Sequence, residues 1–151
     1  MSTTEQLGPS HDLPPGLARV LDTFAMMGRD QTMQALVDYA RRFPELPERY
    51  REVADDEVHK VHECMTPVSL FSETRDGRIF FYADVPSSAP TIRALIAIFT
   101  DALNGQPPET VLAIPSDFVH QLMSKVGLST RERGLNAMVA RMKSHAREAA
   151  A

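Results

Sequence analysis

Two β-prone runs meet at Arg75-Asp76-Gly77, and this feature constrains the fold most. Thr66 to Glu73 and Arg78 to Asp84 are rich in β-branched and aromatic residues. Gly77 supplies the positive φ that a tight turn needs, so the pair predicts a β-hairpin. On the first strand Val68 and Leu70 face one side and Phe71 the other. On the second, Ile79 and Phe81 oppose Phe80 and Tyr82. Both faces are partly apolar, which calls for helices over much of the sheet. Two strands alone are marginal. The alternation in Val58 to Glu63 predicts a third.

Helical patterns lie on both sides of this hairpin. Pro14 and Pro15 suit a helix start, and Leu17, Val20, Leu21 and Phe24 fall on one helical face, with Gly28 as a left-handed stop. Asp30 is the expected cap of a second helix striped by Met33, Leu36, Val37 and Ala40. Their proximity predicts an antiparallel helical hairpin, ended by Phe43-Pro44-Glu45-Leu46-Pro47. Glu48 to Asp56 reads as a solvated bend with one helical turn. After the sheet, Ser88 is placed to cap a helix carrying Ile92, Leu95, Ile96, Phe99 and Leu103, closed by Gly105. Shorter helices follow around Glu109 to Leu112 and Ser116 to Met123, with a break at Gly127. Ser129 and Glu132 fit a capping box for a last helix bearing Leu135, Met138, Val139 and Met142. Gly134 in its first turn costs roughly 1 kcal/mol against Ala, so close backbone packing is the expected reason for it. The methionines are assigned mainly to core stripes. The fold class is α+β: a small antiparallel sheet of about three strands, flanked by helices. Residues 1–13 read as a disordered tail and 14–148 as a single domain.

The chain has 151 residues, one cysteine and a net charge of −4. The acidic balance argues against nucleic acid as a partner. The longest apolar run, Ala94 to Phe99, is too short for a membrane span. Met1 to Asp12 lacks the apolar core of a secretory signal. With an unpaired cysteine, this sets the expected compartment as the reducing cytoplasm.

Chemistry concentrates at Val61-His62-Glu63-Cys64-Met65-Thr66-Pro67. A single cysteine forms no internal disulfide, which leaves packing or thiolate chemistry by one sulfur. His59, Lys60 and His62 would lower its pKa, and Glu63 would raise it. Four readings of Cys64 stand on the residues alone. It is a small buried hydrophobe, a metal ligand with His59 and His62, a hydrolase nucleophile with a histidine base, or a presented thiol. The second would need a further ligand such as His120, His145 or a carboxylate. No phosphate-binding glycine loop is present. Arg131 stands at a helix start, where the dipole disfavours a cation.

Several motifs, in order, resemble the SufE family of sulfur-acceptor proteins. These are Phe43-Pro44-Glu45-Leu46-Pro47-Glu48-Arg49-Tyr50, the Cys64 segment, Ala89-Pro90-Thr91-Ile92-Arg93, Leu103-Asn104-Gly105, and Leu128-Ser129 with Arg131 and Gly134-Leu135-Asn136-Ala137-Met138. The similarity runs from about Leu17 to Lys143. It implies a SufE/IscU-like fold with the acceptor cysteine at Cys64, on a loop formed with His62, Glu63, Met65 and Thr66. Arg131 would contact the partner. Many members carry glutamine where this chain has Met65, and glycine where it has Glu63. The implied partner is a SufS-like, PLP-dependent cysteine desulfurase, whose persulfide sulfur would pass to Cys64 and on to an iron–sulfur scaffold. The chain would carry no cofactor or metal of its own, since PLP belongs to the desulfurase, and would act as a monomer or homodimer. It would be a carrier and activator rather than a stand-alone enzyme. The alternative from another class is a protein-binding module with an inert cysteine.

Overall fold

The computed structural model describes residues 13–151. The tail expected at 1–13 lies outside these residues except for Leu13, which is buried against the core. The elements in chain order are α1 (Pro15–Ala25), α2 (Arg29–Arg41), α3 (Glu48–Arg51), β1 (Ser69–Arg75), β2 (Arg78–Asp84), α4 (Pro90–Leu103), α5 (Pro108–Leu112), α6 (Phe118–Val126) and α7 (Glu132–Ala150). Single 3-10 turns occupy Glu57–His59 and Ser129–Arg131.

The hairpin forms where its residues predict it. β1 and β2 are antiparallel, with Leu70 opposite Ala83, Ser72 opposite Phe81 and Thr74 opposite Ile79. Asp76 and Gly77 both have positive φ, 53° and 75°, the two-residue turn whose twist matches that of the strands. Leu70, Ile79, Phe81 and Ala83 are buried on the face covered by α4 and α7. Phe71 and Tyr82 lie opposite each other on the other face.

Among the described residues the sheet has two strands, not three. Val58 to Glu63 does not extend as a strand, because Glu57–His59 coils into a 3-10 turn and only Lys60 bridges to Ser69. The free edges are closed locally instead. Val61 N–H donates to the Val68 carbonyl at 2.9 Å beside β1. Beside β2, Ile79 N–H donates to the Gln106 carbonyl and Gly105 N–H to the Ile79 carbonyl, both at 2.9 Å. The Asn104 side chain completes this edge. Its Oδ1 accepts from Phe81 N–H at 2.8 Å, and its Nδ2 donates to the Phe81 carbonyl at 3.1 Å.

α4 is the axis of the molecule, buried continuously from Ala94 to Thr100. Each large apolar side chain placed there contributes on the order of 2 kcal/mol. α1 buries the predicted Leu17, Val20, Leu21 and Phe24. The expected helical hairpin does not form as a packed pair. Phe24 and Tyr39 stack at 6.4 Å, but α1 and α2 each lay their main face on α4 and α6. This rotates α2, so Thr32 and Leu36 are buried while Met33 and Val37 are exposed. Met26 is exposed too, so the core role assigned to the methionines holds for Met123, Met138 and Met142 but not for Met26 or Met33.

Some caps also differ. Gly28 has φ −78° and starts α2 rather than stopping α1 through a left-handed turn, and Asp30 sits in the first turn. Ser88 does not cap α4, whose Pro90 already fixes φ at the first position. The expected Ser129–Glu132 capping box is replaced by a 3-10 turn, and the Glu132 carboxylate accepts from His120 Nδ1 at 3.0 Å. Gly127 does end α6 with φ 74°.

The predicted bend after Pro47 docks on the outer face of the hairpin. The Tyr50 ring stacks on Phe71 at 4.6 Å, and the Tyr50 hydroxyl donates to Glu73 Oε2 at 2.7 Å. Arg49 Nη2 donates to both oxygens of Glu73, at 2.6 and 2.8 Å.

Candidate functional site

Cys64 sits on a loop that leaves the sheet at Val61 and returns at Val68. Those two valines are almost fully buried, 2% and 3% exposed, and joined by a backbone hydrogen bond, so the loop is fixed at its ends. Between them, Cys64 N–H donates to the Val61 carbonyl at 3.2 Å, which curls the segment into a turn. The lead-in segment is pinned to α7 by Arg141, which donates to the Lys60 carbonyl at 2.7 Å and the Val58 carbonyl at 2.8 Å.

The thiol is half-buried and points at the first turn of α7. Its S–H donates to the Gly134 carbonyl at 3.6 Å. A Cβ at residue 134 would lie 3.3 Å from Sγ and 3.4 Å from the Cys64 Cα, so the contact is available because the residue is glycine. The predicted reason for that glycine, close backbone packing, is what the fold shows. Beside the sulfur lies a cavity of about 160 Å³. Its apolar wall comes from Ile92, Leu95 and Ile96 of α4 and Leu135 and Met138 of α7, and Arg131 and Arg133 stand on its rim. On its other side Cys64 lines a second, more polar cavity with Asp55, Glu57, Lys60 and Asp84.

The expected cationic surroundings of the sulfur do not assemble. In a turn, rather than a strand, alternation no longer places His62 beside Cys64. His62 Nε2 instead meets Glu57 Oε1 at 3.2 Å, and Lys60 meets Glu57 Oε2 at 3.5 Å. His59 packs over the Phe71 ring at 4.6 Å. Burial therefore raises the Cys64 thiol above its ordinary value, and Glu63 adds to the rise. The resting sulfur is a neutral thiol. Among the described residues, no three of His, Cys, Asp or Glu converge on a metal site. His145, also partly buried, shares a hydrogen bond with Ser72 Oγ rather than with the thiol.

The remaining predicted loop residues are distributed by exposure. Glu63 and Met65 face solvent, with Met65 95% exposed, and Thr66 is half-buried at the cavity. Arg131 is half-buried on the cavity rim. Sequence reasoning missed the cavity wall, Arg133 and the Arg141 anchor. Gly134 was the available signal, because a glycine inside a helix marks a close neighbour.

No helix is long and apolar enough among the described residues to cross a membrane. The family model described as "SufE: Fe-S metabolism associated domain" matches residues 18–146. An uncharacterised SufE-like protein of Mycobacterium tuberculosis is 34% identical over 139 residues, covering 91% of this chain and 95% of that protein. One from Synechocystis is 25% identical over 118 residues, covering 78% of this chain and 70% of its own length. The solution structure of a hypothetical protein from Thermus thermophilus superposes with a TM-score of 0.77 at 30% identity, covering 91% of this chain and 97% of that one. With a family match over most of its length and a shared fold, the chain belongs to the SufE family, whose domain is associated with iron–sulfur metabolism.

Proposed function

We propose that Cys64 accepts persulfide sulfur from a PLP-dependent cysteine desulfurase, stimulates that enzyme, and delivers the sulfur to an iron–sulfur scaffold. The carrying observation is the mounting of the sulfur. It sits on a loop anchored at Val61 and Val68, half-buried beside an apolar cavity, with exposed Met65 next to it. A packed core cysteine would have no such loop, and a permanently exposed one no shelter. Thiol exchange depends on access as well as on the thiolate.

In the transfer, the Cys64 thiolate attacks the outer sulfur of the donor persulfide, R–S–SH. A bond forms between Cys64 Sγ and that sulfur. The donor's S–S bond breaks, and the R thiolate leaves with the electron pair. The proton stays on the transferred sulfur, giving Cys64–S–SH. Because the resting thiol is neutral, this step follows loss of its proton, which movement away from the buried Gly134 contact favours. Shelter in the cavity protects the product from oxidation. Met65, Thr66 and Arg131, around the sulfur, supply the surface a desulfurase would cover, with His62 and Glu63 on the same loop.

The test is desulfurase turnover with and without this protein, together with intact mass after incubation with the enzyme and free cysteine. The expected result is faster turnover and one added sulfur atom, removable by reductant, with both effects lost in Cys64→Ser. Unchanged turnover and unchanged mass with cognate desulfurases would leave Cys64 an inert residue of a binding module.

A further inference from the structure

Cys64 lies between two cavities of opposite character. One holds the carboxylates Asp55, Glu57 and Asp84, with Lys60 and His62 held near Glu57. The other holds no carboxylate except Glu63 at its edge, and carries Arg131 and Arg133. Neither guanidinium has an ion-pair or hydrogen-bond partner among the described residues, whereas the adjacent Glu132 carboxylate is engaged by His120. α4 adds only Ile92, Leu95 and Ile96 to this side, and its Arg93 is occupied with the carbonyls of Val85 and Pro86. Two cations thus flank an apolar space into which a sulfur chain one atom longer than Cys64 would extend.

The neutral thiol and a persulfide make opposite demands on this setting. A thiol can donate to the Gly134 carbonyl, as it does here. A persulfide is a stronger acid than the thiol it grows from, because its terminal S–H bond is weaker and the adjacent sulfur withdraws electron density from the anion. Its anion cannot donate, and the Gly134 oxygen would repel it. A charge beside an apolar wall is costly unless a partner of opposite sign is near.

We propose that Arg131 and Arg133 form an anion subsite for the outer sulfur of the Cys64 persulfide, so that loading shifts the sulfur from the Gly134 carbonyl to the guanidinium rim. This rests on the acceptor role of Cys64, and it adds a role for Arg133. The charge of the sulfur then selects the loop position, inward when empty and toward the rim when loaded.

The full chain is loaded chemically with inorganic tetrasulfide, in which the Cys64 thiolate takes one sulfur and trisulfide leaves. The ionisation of the persulfide is followed by its near-ultraviolet absorbance against pH, and that of the unloaded thiol by alkylation rate against pH. Arg131→Gln with Arg133→Gln is expected to raise the pH at which the persulfide ionises by about one unit, and to move the thiol by much less. Arg133→Lys, which keeps the charge, stays near wild type. Equal shifts of thiol and persulfide, or an unmoved persulfide, overturn the subsite while leaving the acceptor role intact. Failure of desulfurases to load the wild-type chain, alongside the expected tetrasulfide titration, removes the acceptor role instead.

Discussion

The α-carbon of Gly134 faces Cys64 so closely that a methyl group there would lie 3.3 Å from Sγ. Gly134→Ala sets two effects against each other. Alanine favours the helix by about 1 kcal/mol. The Cys64 loop, anchored at Val61 and Val68, must give by a few tenths of an ångström. The expected outcome is a denaturation midpoint within about 1 kcal/mol of wild type but faster alkylation of Cys64, because the loop yields more easily than the helix. Slower alkylation would show that the thiol is not held by this contact.

Asn104 stands in for a missing strand at the edge of β2. Both of its bonds go to the backbone of Phe81. Asn104→Ala leaves a partly buried N–H and C=O without these partners, and the loss is expected to reach about 2–3 kcal/mol. Chemical denaturation measures it. A change below about 0.5 kcal/mol, less than a single net hydrogen bond, would mean that water replaces the side chain without cost.

His145 ties α7 to β1 through Ser72. Burial, and then Arg141, push its pKa below the ordinary histidine value. The unfolded chain therefore binds this proton more readily, so the contribution is present above about pH 6.5 and is lost as pH falls below it. Stability measured from pH 8 to 5, a range spanning that ordinary histidine value, is expected to fall on the acid side in wild type. In His145→Gln the same limb should be flatter. Identical limbs would remove His145 from the account.

Glu73 is held below its ordinary pKa by Arg49 first, then by the Tyr50 hydroxyl. Its contribution is present above the ordinary carboxylate range and is lost as pH falls through the lowered value, a window more acidic than that of His145. Glu73→Gln is expected to lower the denaturation midpoint at neutral pH and to flatten the stability curve only in this acid window. An unchanged neutral midpoint would mean that the stacked Tyr50 ring alone secures the outer face.

The hairpin, its turn and the main helical faces were legible because each rests on local signals: Asp76-Gly77, the buried stripe of α4, and the stripe of α7 from Leu135 to Met142. The third strand was misread because the alternation in Val58 to Glu63 is cancelled by a 3-10 turn that sequence period alone does not exclude. The separate turn closed by Cys64 N–H on the Val61 carbonyl explains why His62 misses the thiol, since two-residue spacing brings side chains together only in extended chain. Met33 was misplaced because the packing of α2 on α4, a tertiary choice, sets the rotation of its face. At the site, Cys64 and Arg131 were visible as residues. The cavity they share was not, because it is assembled from α4 and α7, about 30 and 70 positions further along the chain, which only folding brings together.

The valine pair that closes the Cys64 loop also sets how far the sulfur can travel. Cys64 stands three positions after Val61, and extended chain covers roughly 3.5 Å per residue, so the backbone leash is about 10 Å long. On the proposed acceptor role, any donor or recipient thiol would therefore have to be delivered to the doorstep of the hairpin, and a docked protein that halts much beyond that radius would exchange nothing, however tightly it binds.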